Sequence, residues 1–577
     1  MKKSLLIILT LCLYVIGMAQ ATIDPSLHLE MKKHGADDKI KVGIIMREQT
    51  RSAELLNVTN DFATNKQRRE FVAGTLKRQA QASQADLLAL LDEMQANGMV
   101  SDIRPLWMVN AISCQANHAA IQALAQRFDI QSLYYCEGHI LPPMVNAATQ
   151  PAEIERGIAQ NLLIVNADKV WELGYTGEGV VVGHLDTGAN YNHLDLQGRM
   201  WDGGEEFPHH GYDVYEHNDD PMDTWGHGTH VAGTICGTGT AGTQTGAAPG
   251  ATLMEIKVFS DTPDVESDEF ILIEGMEFAL EHGAQVLNMS LGMSGDNAQY
   301  RRMMRQACDN VLAAGIVTVS TSGNMRMFQG FVPIPYNAGA PGSCPSPWLH
   351  PDQMVNPGGV SSVICVGSTE NNDQISAFSS PGPCTWADIP EYGDYPYTPG
   401  STEQIGLIKP DVCAPGGNVV SLDFNTIDGY KADLGTSFAA PCVTGTIALM
   451  LSKNPDLTPA QIDEILETTC VHLTEHKSND FGSGRIDALA AFEAVVDDDV
   501  VENETPQAVV FPNPSNGSFT VKCDGMSQIE VYSIDGRLVR SEVVDQEFYQ
   551  IDGLANGIYV LQVTKGEDKF VQKIVKY

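Results

Sequence analysis

Three short segments, far apart along the chain, constrain the fold most. The segments are residues 186–188 (Asp-Thr-Gly), 227–234 (His-Gly-Thr-His-Val-Ala-Gly-Thr) and 435–441 (Gly-Thr-Ser-Phe-Ala-Ala-Pro). Each sets one reactive side chain among small residues that let backbone come close. A hydroxyl is a poor nucleophile at neutral pH, and the imidazole that takes its proton needs a carboxylate to fix its tautomer. The sequence therefore predicts a charge-relay set of Asp186, His227 and Ser437.

The order of these residues along the chain separates them from other hydrolase sites. Chymotrypsin-type enzymes run His, Asp, Ser and α/β-hydrolases run Ser, Asp, His, whereas subtilisin has the order found here. An aspartic protease needs a second carboxylate, and the chain has no second Asp-Thr-Gly. Alone, His227 fits a loop histidine and Ser437 a helix N-cap. Together and in this order, they favour catalysis.

Further segments resemble the subtilisin-like serine proteases, from about residue 167 to residue 496. Residues 180–188 resemble the first catalytic strand of that family, since they form a continuous apolar run suited to a buried parallel strand. Other matching turns and segments are residues 246–251, 409–416 and 482–488. The resemblance implies an α/β fold, a three-layer sandwich with a mainly parallel sheet. A small α+β propeptide is expected before it and a small β-sandwich after it.

The resemblance also implies a mechanism. Ser437 would attack the scissile carbonyl, His227 would act as general base and then acid, and Asp186 would hold the imidazole. The backbone N–H of Ser437, at a helix N-terminus, is one expected oxyanion donor. Residues 316–324 resemble the strand that ends in the oxyanion asparagine of the family, which gives Asn324 as the other donor. The expected function is a secreted serine endopeptidase that is made as a zymogen and hydrolyses peptide bonds through an acyl-enzyme.

Two functions from other classes stay open. The same fold without activity could serve as an adhesin or binding module, although all four chemical positions carry the needed residue types. An esterase or peptide ligase could use the same triad. The four residue types argue against the first alternative, whereas residues alone do not separate the second from a protease.

Substrate is expected to bind extended, as a strand added to exposed backbone edges. The residues that would line it are Ser290, Leu291 and Gly292 on one side and Thr321, Ser322 and Gly323 on the other. Residues 325–357 form a long insertion rich in proline and glycine. Long loops of this kind are usually functional or disordered. This one is predicted to shape or cover the substrate cleft.

No cofactor is expected for the chemistry, while structural calcium stays open. Asp195 resembles one carboxylate ligand of a calcium site of the family, but the loop 237–245 adds only hydroxyls, one amide and carbonyls, and hard cations prefer more carboxylate oxygen. The acidic segment 217–223 is a second candidate. Among the cysteines, Cys344 and Cys384 lie in predicted loops and are expected to form a disulfide.

Both ends of the chain carry features of export. Residues 1–21 read as a signal peptide, and no other segment reaches the roughly 18 apolar residues of a membrane span. Residues 22–145 resemble an inhibitor propeptide, with predicted strands at 39–46, 106–113 and 130–135 and helices at 71–94 and 119–128. The maturation cut is expected between residues 136 and 158. The protease domain is assigned to residues 146–497.

An acidic linker, residues 498–506, separates a C-terminal module, residues 507–577. This module resembles the sorting domain of the type IX secretion system, with a ligand-binding β-sandwich as the alternative. The net charge of −38 argues against nucleic acid as a partner. Protein or peptide substrates, the chain's own propeptide and the outer-membrane secretion machinery are the expected partners, with the protein secreted or at the cell surface.

Overall fold

The computed structural model describes two compact units, one reaching Val496 and one beginning at Asp497. The described residues are 20–136, 138, 140, 156–262, 266–353, 359–400, 406–496, 509–511, 518–523, 525–533, 537–544, 548–566 and 568–576. Most of the predicted signal peptide (residues 1–19), much of the predicted maturation segment (141–155) and the predicted acidic linker (498–506) lie outside them.

The first unit begins with an N-terminal module, residues 20–136, built on a five-stranded sheet of order β1-β5-β2-β4-β3. Its strands are β1 Thr22–Ile23, β2 Ile40–Met46, β3 Val100–Leu106, β4 Ala111–Ala116 and β5 Ile130–Tyr135. Its helices are α1 Pro25–Met31, α2 Ser52–Thr59, α3 Asn65–Ala96 and α4 His118–Leu124. Leu87, Leu91 and Met94 of α3 pack in one core with Val42 and Ile44 of β2, as the apolar face of the helix predicts.

One predicted strand of this module is wrong. Residues 106–113 are not one strand, because residues 107–110 turn between β3 and β4, which pair antiparallel with Leu106 opposite Ala111. Asn110 takes a left-handed conformation with φ of +43°, which asparagine tolerates better than most residues, and its Nδ2 donates to the carbonyl of Glu48. The predicted helix at 119–128 also ends earlier, at Leu124.

The rest of the first unit is organised by a seven-stranded sheet of order β14-β13-β12-β11-β7-β10-β8, in which every pair of neighbours is parallel. Its strands are β7 Val181–Asp186, β8 Gly211–Asp213, β10 Thr252–Lys257, β11 Val286–Met289, β12 Val317–Thr321, β13 Val363–Thr369 and β14 Val412–Pro415. Short additional strands are β6 Gly157–Ile158, β9 Thr243–Gln244 and the antiparallel pair β15 Val419–Leu422 and β16 Tyr430–Asp433. The strands are buried on both faces, which explains their near-continuous apolar runs.

Helices cover both faces of this sheet. They are α5 Gln160–Ile164, α6 Ala167–Glu172, α7 His227–Cys236, α8 Glu269–Glu281, α9 Ala298–Ala313, α10 Thr436–Lys453, α11 Pro459–Thr469 and α12 Ala488–Ala494. Leu185 of β7 packs in one core with Phe270 of α8, whereas Val182 of β7 packs in another with Val231 of α7 and Val443 of α10. This confirms the predicted α/β sandwich with a mainly parallel sheet.

The second unit consists of two antiparallel sheets, of order β17-β18-β21 and β20-β19-β22-β23. The strands are β17 Val509–Phe511, β18 Phe519–Lys522, β19 Gln528–Ser533, β20 Leu538–Val543, β21 Phe548–Ile551, β22 Gly557–Lys565 and β23 Asp568–Lys576. Phe519, Ile529 and Leu561 are fully buried in its core. Among the described helices of the whole chain, none has the length and apolarity needed to cross a membrane.

The predicted disulfide between Cys344 and Cys384 is wrong, since the structure has both as buried free thiols. Cys344 instead neighbours Cys308 of α9: a side-chain hydrogen bond with Cys344, together with burial, raises the pKa of the Cys308 thiol. Burial raises the pKa of Cys384 to about 12.

Candidate active site

Asp186 and His227 meet at the carboxyl end of β7, an interior strand of the sheet. Asp186 is the last residue of β7 and His227 the first residue of α7. Nδ1 of His227 lies 2.7 Å from Oδ1 of Asp186, and both side chains are buried. Burial raises the pKa of the Asp186 carboxyl, but the charge of His227 and contacts with His184 and His227 outweigh it and hold that pKa well below its ordinary value. The carboxylate therefore stays ionised beside the imidazole.

Ser437 lies in the first turn of α10, on the segment that reaches His227. The ring of Phe438, the next residue, has its centroid 5.2 Å from that of His227. The carbonyl of Ser437 accepts a hydrogen bond of 2.8 Å from Oγ of Ser290. The first backbone N–H groups of a helix have no partner within the helix, so that of Ser437 belongs to a region suited to binding an anion.

Asn324 follows β12, and its amide is held in one orientation. Its Oδ1 accepts hydrogen bonds from the backbone N–H of Thr436, at 3.1 Å, and from Oγ1 of Thr436, at 2.9 Å. Asn324 is an exposed residue, and its Nδ2 lies on the side of Gly435. Because the oxygen is engaged by the residue before Ser437, the amide nitrogen is left as the donor.

The six residues predicted to line the substrate lie at the carboxyl ends of the adjacent strands β11 and β12, with Thr321 the last residue of β12. Only Gly292 is exposed and Gly323 partly so, while the other four are buried. Ser290 supports the carbonyl of Ser437, and Oγ1 of Thr321 donates to Oγ1 of Thr436. The two glycines thus form the accessible part of the set.

The long insertion, of which residues 325–353 are described, returns beside these strand ends. Met293 and Ala340 exchange two backbone hydrogen bonds, of 3.0 and 2.9 Å, and Gly339 donates to the carbonyl of Ser322. At its start the insertion exposes large apolar side chains; Phe331 is 88% exposed. Nε of Arg326 donates a hydrogen bond of 2.7 Å to the carbonyl of Ser379, which holds the start of the insertion in place.

Asp223, which the sequence offered only as the end of a candidate calcium segment, joins the two halves of the site. Its Oδ1 accepts from the hydroxyl of Thr187, the residue after Asp186, and its Oδ2 accepts from the backbone N–H and hydroxyl of Thr229 in α7. It therefore fixes the start of α7 relative to the end of β7. An aspartate four residues before His227, at the start of a helix, is the signal that could have found it.

The surroundings of Asp195 do not fit a hard cation. Its Oδ1 accepts from the backbone N–H of Ala241 at 2.7 Å, and its Oδ2 accepts from the hydroxyl of Tyr430 at 2.8 Å. Both carboxylate oxygens thus face neutral hydrogen-bond donors, whereas calcium requires six to eight oxygen ligands. In the acidic segment 217–223, the Asp223 carboxylate accepts hydrogen bonds from Thr187 and Thr229, as described above.

One other group among the described residues brings metal-ligating atoms together. Ligand atoms of Cys136, Asp268 and Glu269 lie within 4.8 Å of one another, and all three residues are buried. The ammonium group of Lys41 pairs with Asp268 at this place. The ammonium group of Lys41 therefore already supplies the positive charge at this group of residues.

A buried polar pair that the sequence did not indicate, His184 and Glu255, lies next to Asp186. His184 and Glu255 are fully buried, and Nδ1 of His184 lies 2.8 Å from Oε2 of Glu255. A histidine inside an otherwise apolar strand was the signal in the sequence.

Two family profiles and several curated proteins are similar to this chain. The profile of the Subtilase family matches residues 177–484, and that of the secretion system C-terminal sorting domain matches residues 509–577. Subtilisin DY of Bacillus licheniformis is 32% identical over 333 residues, 57% of this chain and 96% of that protein. Bacillopeptidase F of Bacillus subtilis is 29% identical over 465 residues, which are 75% of this chain but only 29% of that protein. Serine protease AprX of Bacillus subtilis is 29% identical over 348 residues, 54% of this chain and 66% of that protein.

Proposed function

This chain belongs to the subtilase family of serine proteases, and we propose that Asp186, His227 and Ser437 are its catalytic triad. The protein is a subtilisin-like serine protease that acts on peptide substrates, and its C-terminal sorting domain indicates secretion or attachment at the cell surface. The observation that carries the triad is the 2.7 Å contact between His227 and Asp186 beside the first turn of α10. It leaves Nε2 of His227 as the nitrogen available to a nucleophile.

In the proposed reaction, Oγ of Ser437 attacks the scissile carbonyl as its proton passes to Nε2 of His227. The imidazolium then protonates the leaving amine, and water hydrolyses the acyl-enzyme through the same base. Nδ2 of Asn324 and the backbone N–H of Ser437 stabilise the oxyanion. Such donors act strongly because they are preorganised, here through the bonds from Thr436 to Asn324.

The substrate strand is proposed to lie along Gly292 and Gly323. Exposed backbone at Gly292, after the carboxyl end of β11, offers hydrogen-bonding groups to an extended peptide. The backbone of Gly323 already donates to Oγ1 of Thr321 and accepts from the N–H of Ser380, so Gly323 contributes an open surface instead. The pairing of Met293 with Ala340 places the insertion next to this strand. The insertion is therefore proposed to limit which side chains the cleft accepts.

The N-terminal module is proposed to act as an intramolecular inhibitor, which makes the full chain a zymogen. Oε1 of Glu277 in α8 accepts from the backbone N–H groups of Trp107 and Met108, at 2.7 and 2.6 Å. The hydroxyl of Tyr134 donates to Glu269 of the same helix at 2.6 Å. Met108 and Val109 are buried in the same core as α8 and α9, which accounts for an apolar turn at this position. Cleavage after this module would release the protease.

The C-terminal domain is proposed to be read by the outer-membrane secretion machinery and then removed. Deletion of residues 506–577 should leave the protease inside the cell, with Ser437→Ala as the control for self-cleavage. Normal secretion of the truncated protein would contradict this proposal. Nucleic acid is not proposed as a partner, because a net charge of −38 opposes phosphate binding.

One experiment separates the proposed activity from its alternatives. The mature protein is treated with a fluorophosphonate probe beside a Ser437→Ala control, and its cleavage is profiled on a peptide library. Labelling of the wild type alone, with amide cleavage, is the expected result. Absence of labelling would favour a silent binding protein, and labelling without amide cleavage an esterase.

A further inference from the structure

Strand β7, in the interior of the sheet, carries ionisable side chains where apolar ones are expected. His184 precedes Asp186 by two residues in β7, so both side chains lie on the same face of the strand. The register places Glu255 of β10 and Asn288 of β11 on either side of His184. All three are fully buried. Buried ionisable groups are costly unless they are paired, so such a row needs a physical reason.

The contacts link this row to the proposed catalytic aspartate. Oδ1 of Asp186 is engaged by His227 and by the backbone N–H of Thr187. Nε2 of His184 lies 3.6 Å from Oδ2 of Asp186, an ion-pair contact rather than a hydrogen bond. Within the described part of the chain, neither Nε2 of His184 nor Oδ2 of Asp186 has a hydrogen-bond partner. Each of these two atoms therefore has the other as its ion-pair contact.

We propose that His184, held as an imidazolium by Glu255, is a positioning residue for Asp186 that extends the relay of Ser437 and His227 into the sheet. The proposal rests on the triad proposed above. In this arrangement the carboxylate of Asp186 lies between two imidazoles, one facing the substrate and one facing the core. Rotation of the carboxylate would break one of the two contacts.

The charges around His184 support its protonated state. Burial alone lowers the pKa of His184, but Glu255 and Asp186 outweigh it and raise that pKa to about 10. Burial raises the pKa of Glu255 to about 7, against the attraction of His184. The neutral Asn288, opposite His184 in the register, is bonded to Thr444 of α10. The Cys236 thiol of α7, which interacts with Glu255, has a pKa that burial raises to about 12. Farther charges are Asp223, Arg199 and His227 itself.

A cation at Oδ2 has two effects on catalysis. It keeps the carboxylate in the plane that serves His227, which matters most when His227 becomes charged in the transition state. It also repels the imidazolium that His227 becomes during the reaction. Loss of the charge of His184 should therefore move the acidic limb of the pH profile and reduce kcat more than it changes KM.

The kinetic test compares His184→Gln with Val182→Ala, a change on the same face of the same strand that removes volume and no charge. For His184→Gln, the acidic limb of kcat/KM should move up by on the order of half a pH unit. Its kcat should fall about tenfold at constant KM, a fraction of the ~10⁴-fold that a misoriented triad costs. Val182→Ala should lower Tm without moving the limb. An unchanged limb in His184→Gln, or an equal shift in Val182→Ala, would overturn the proposal.

A second measurement does not depend on turnover. Nitrogen NMR of histidine-labelled Ser437→Ala protein should contain one imidazolium that persists above pH 8. Glu255→Gln in the same background should make that ring lose its proton at lower pH. If no histidine stays protonated above pH 8, or if Glu255→Gln leaves all titrations unchanged, the proposal is wrong. A wild type that fails to label with fluorophosphonate would instead refute the triad, and the NMR result would still report on His184.

Discussion

Asn324 accepts two hydrogen bonds from Thr436, the neighbour of Ser437, through its amide oxygen. The amide is thereby fixed by the loop that carries the proposed nucleophile. A donor tied to the nucleophile in this way needs no reorganisation when negative charge develops.

Replacement of Asn324 by leucine should reduce kcat by about 10²–10³ and leave KM nearly unchanged, because the lost donor acts on the oxyanion rather than on bound substrate. Kinetics with a peptide amide substrate will measure this. Asn425→Leu, at an exposed site in the loop between β15 and β16, is the control. A kcat within a few-fold of the wild type would remove Asn324 from the oxyanion site.

Thr436→Val should have a smaller effect. It removes the hydroxyl that binds Asn324 but leaves the backbone N–H in place. One neutral hydrogen bond contributes about 1 kcal/mol, so kcat should fall about fivefold. Thr436→Ser retains the hydroxyl and should restore most of the rate; equal losses in both variants would point to packing instead.

The stability of the loop around Asp195 should depend on Tyr430 and not on calcium. Tyr430→Phe leaves one buried carboxylate oxygen without its donor, which costs about 1–3 kcal/mol in the free energy of unfolding. Chelation with EDTA should leave Tm unchanged in both proteins. A large drop of Tm in EDTA, reversed by added calcium, would refute this reading of the site.

Association of the N-terminal module with the protease should weaken as pH rises. Burial raises the pKa of Glu269 and of Glu274 in α8 to about 7, while an exposed glutamate has a pKa of about 4.3. Between these values the associated state holds protons that the separated state releases. Its stability is therefore fully present below about pH 4.3 and decreases up to about pH 7, by at most about 1.4 kcal/mol per pH unit and group.

Amide exchange in full-length Ser437→Ala protein can measure this dependence. After correction for the intrinsic rates, the N–H groups of Trp107 and Met108 should be better protected at pH 5 than at pH 7.5. The double variant Glu269→Gln and Glu274→Gln should reduce the difference, and the part that remains belongs to Glu277, whose pKa burial also raises. Equal protection of the parent protein at both pH values would contradict the prediction.

The exposed apolar side chains at the start of the insertion should affect peptide selectivity. Met327, Phe328 and Phe331 are 68%, 49% and 88% exposed, an unusual density on a soluble surface. Their joint replacement by serine should change the cleavage profile of a peptide library while turnover of a small ester stays constant. Leu173→Ser, at an exposed leucine outside the insertion, is the control. An unchanged profile would leave the insertion without a role in selectivity.

The strands of the central sheet and the site at its edge could be predicted from sequence, because buried parallel strands are continuous apolar runs and Asp186 ends one of them. The turn at residues 107–110 could not, since its apolar side chains pack against α8 and α9, far away in sequence, and look like a strand locally. The pair of His184 and Glu255 depends on the register of two strands 71 residues apart. Only the fold brings such partners together.

The buried thiols can show which region of the chain has unfolded. Every cysteine that the structure describes is buried, and these residues are distributed over the N-terminal module (Cys114), the central sheet (Cys365 and Cys413) and the C-terminal unit (Cys523). Burial raises the pKa of Cys114 to about 12, so its thiol is poorly nucleophilic as well as shielded. An alkylating reagent will therefore mark each region only when that region opens, and the order of marking will give the order in which the parts of this secreted protease come apart.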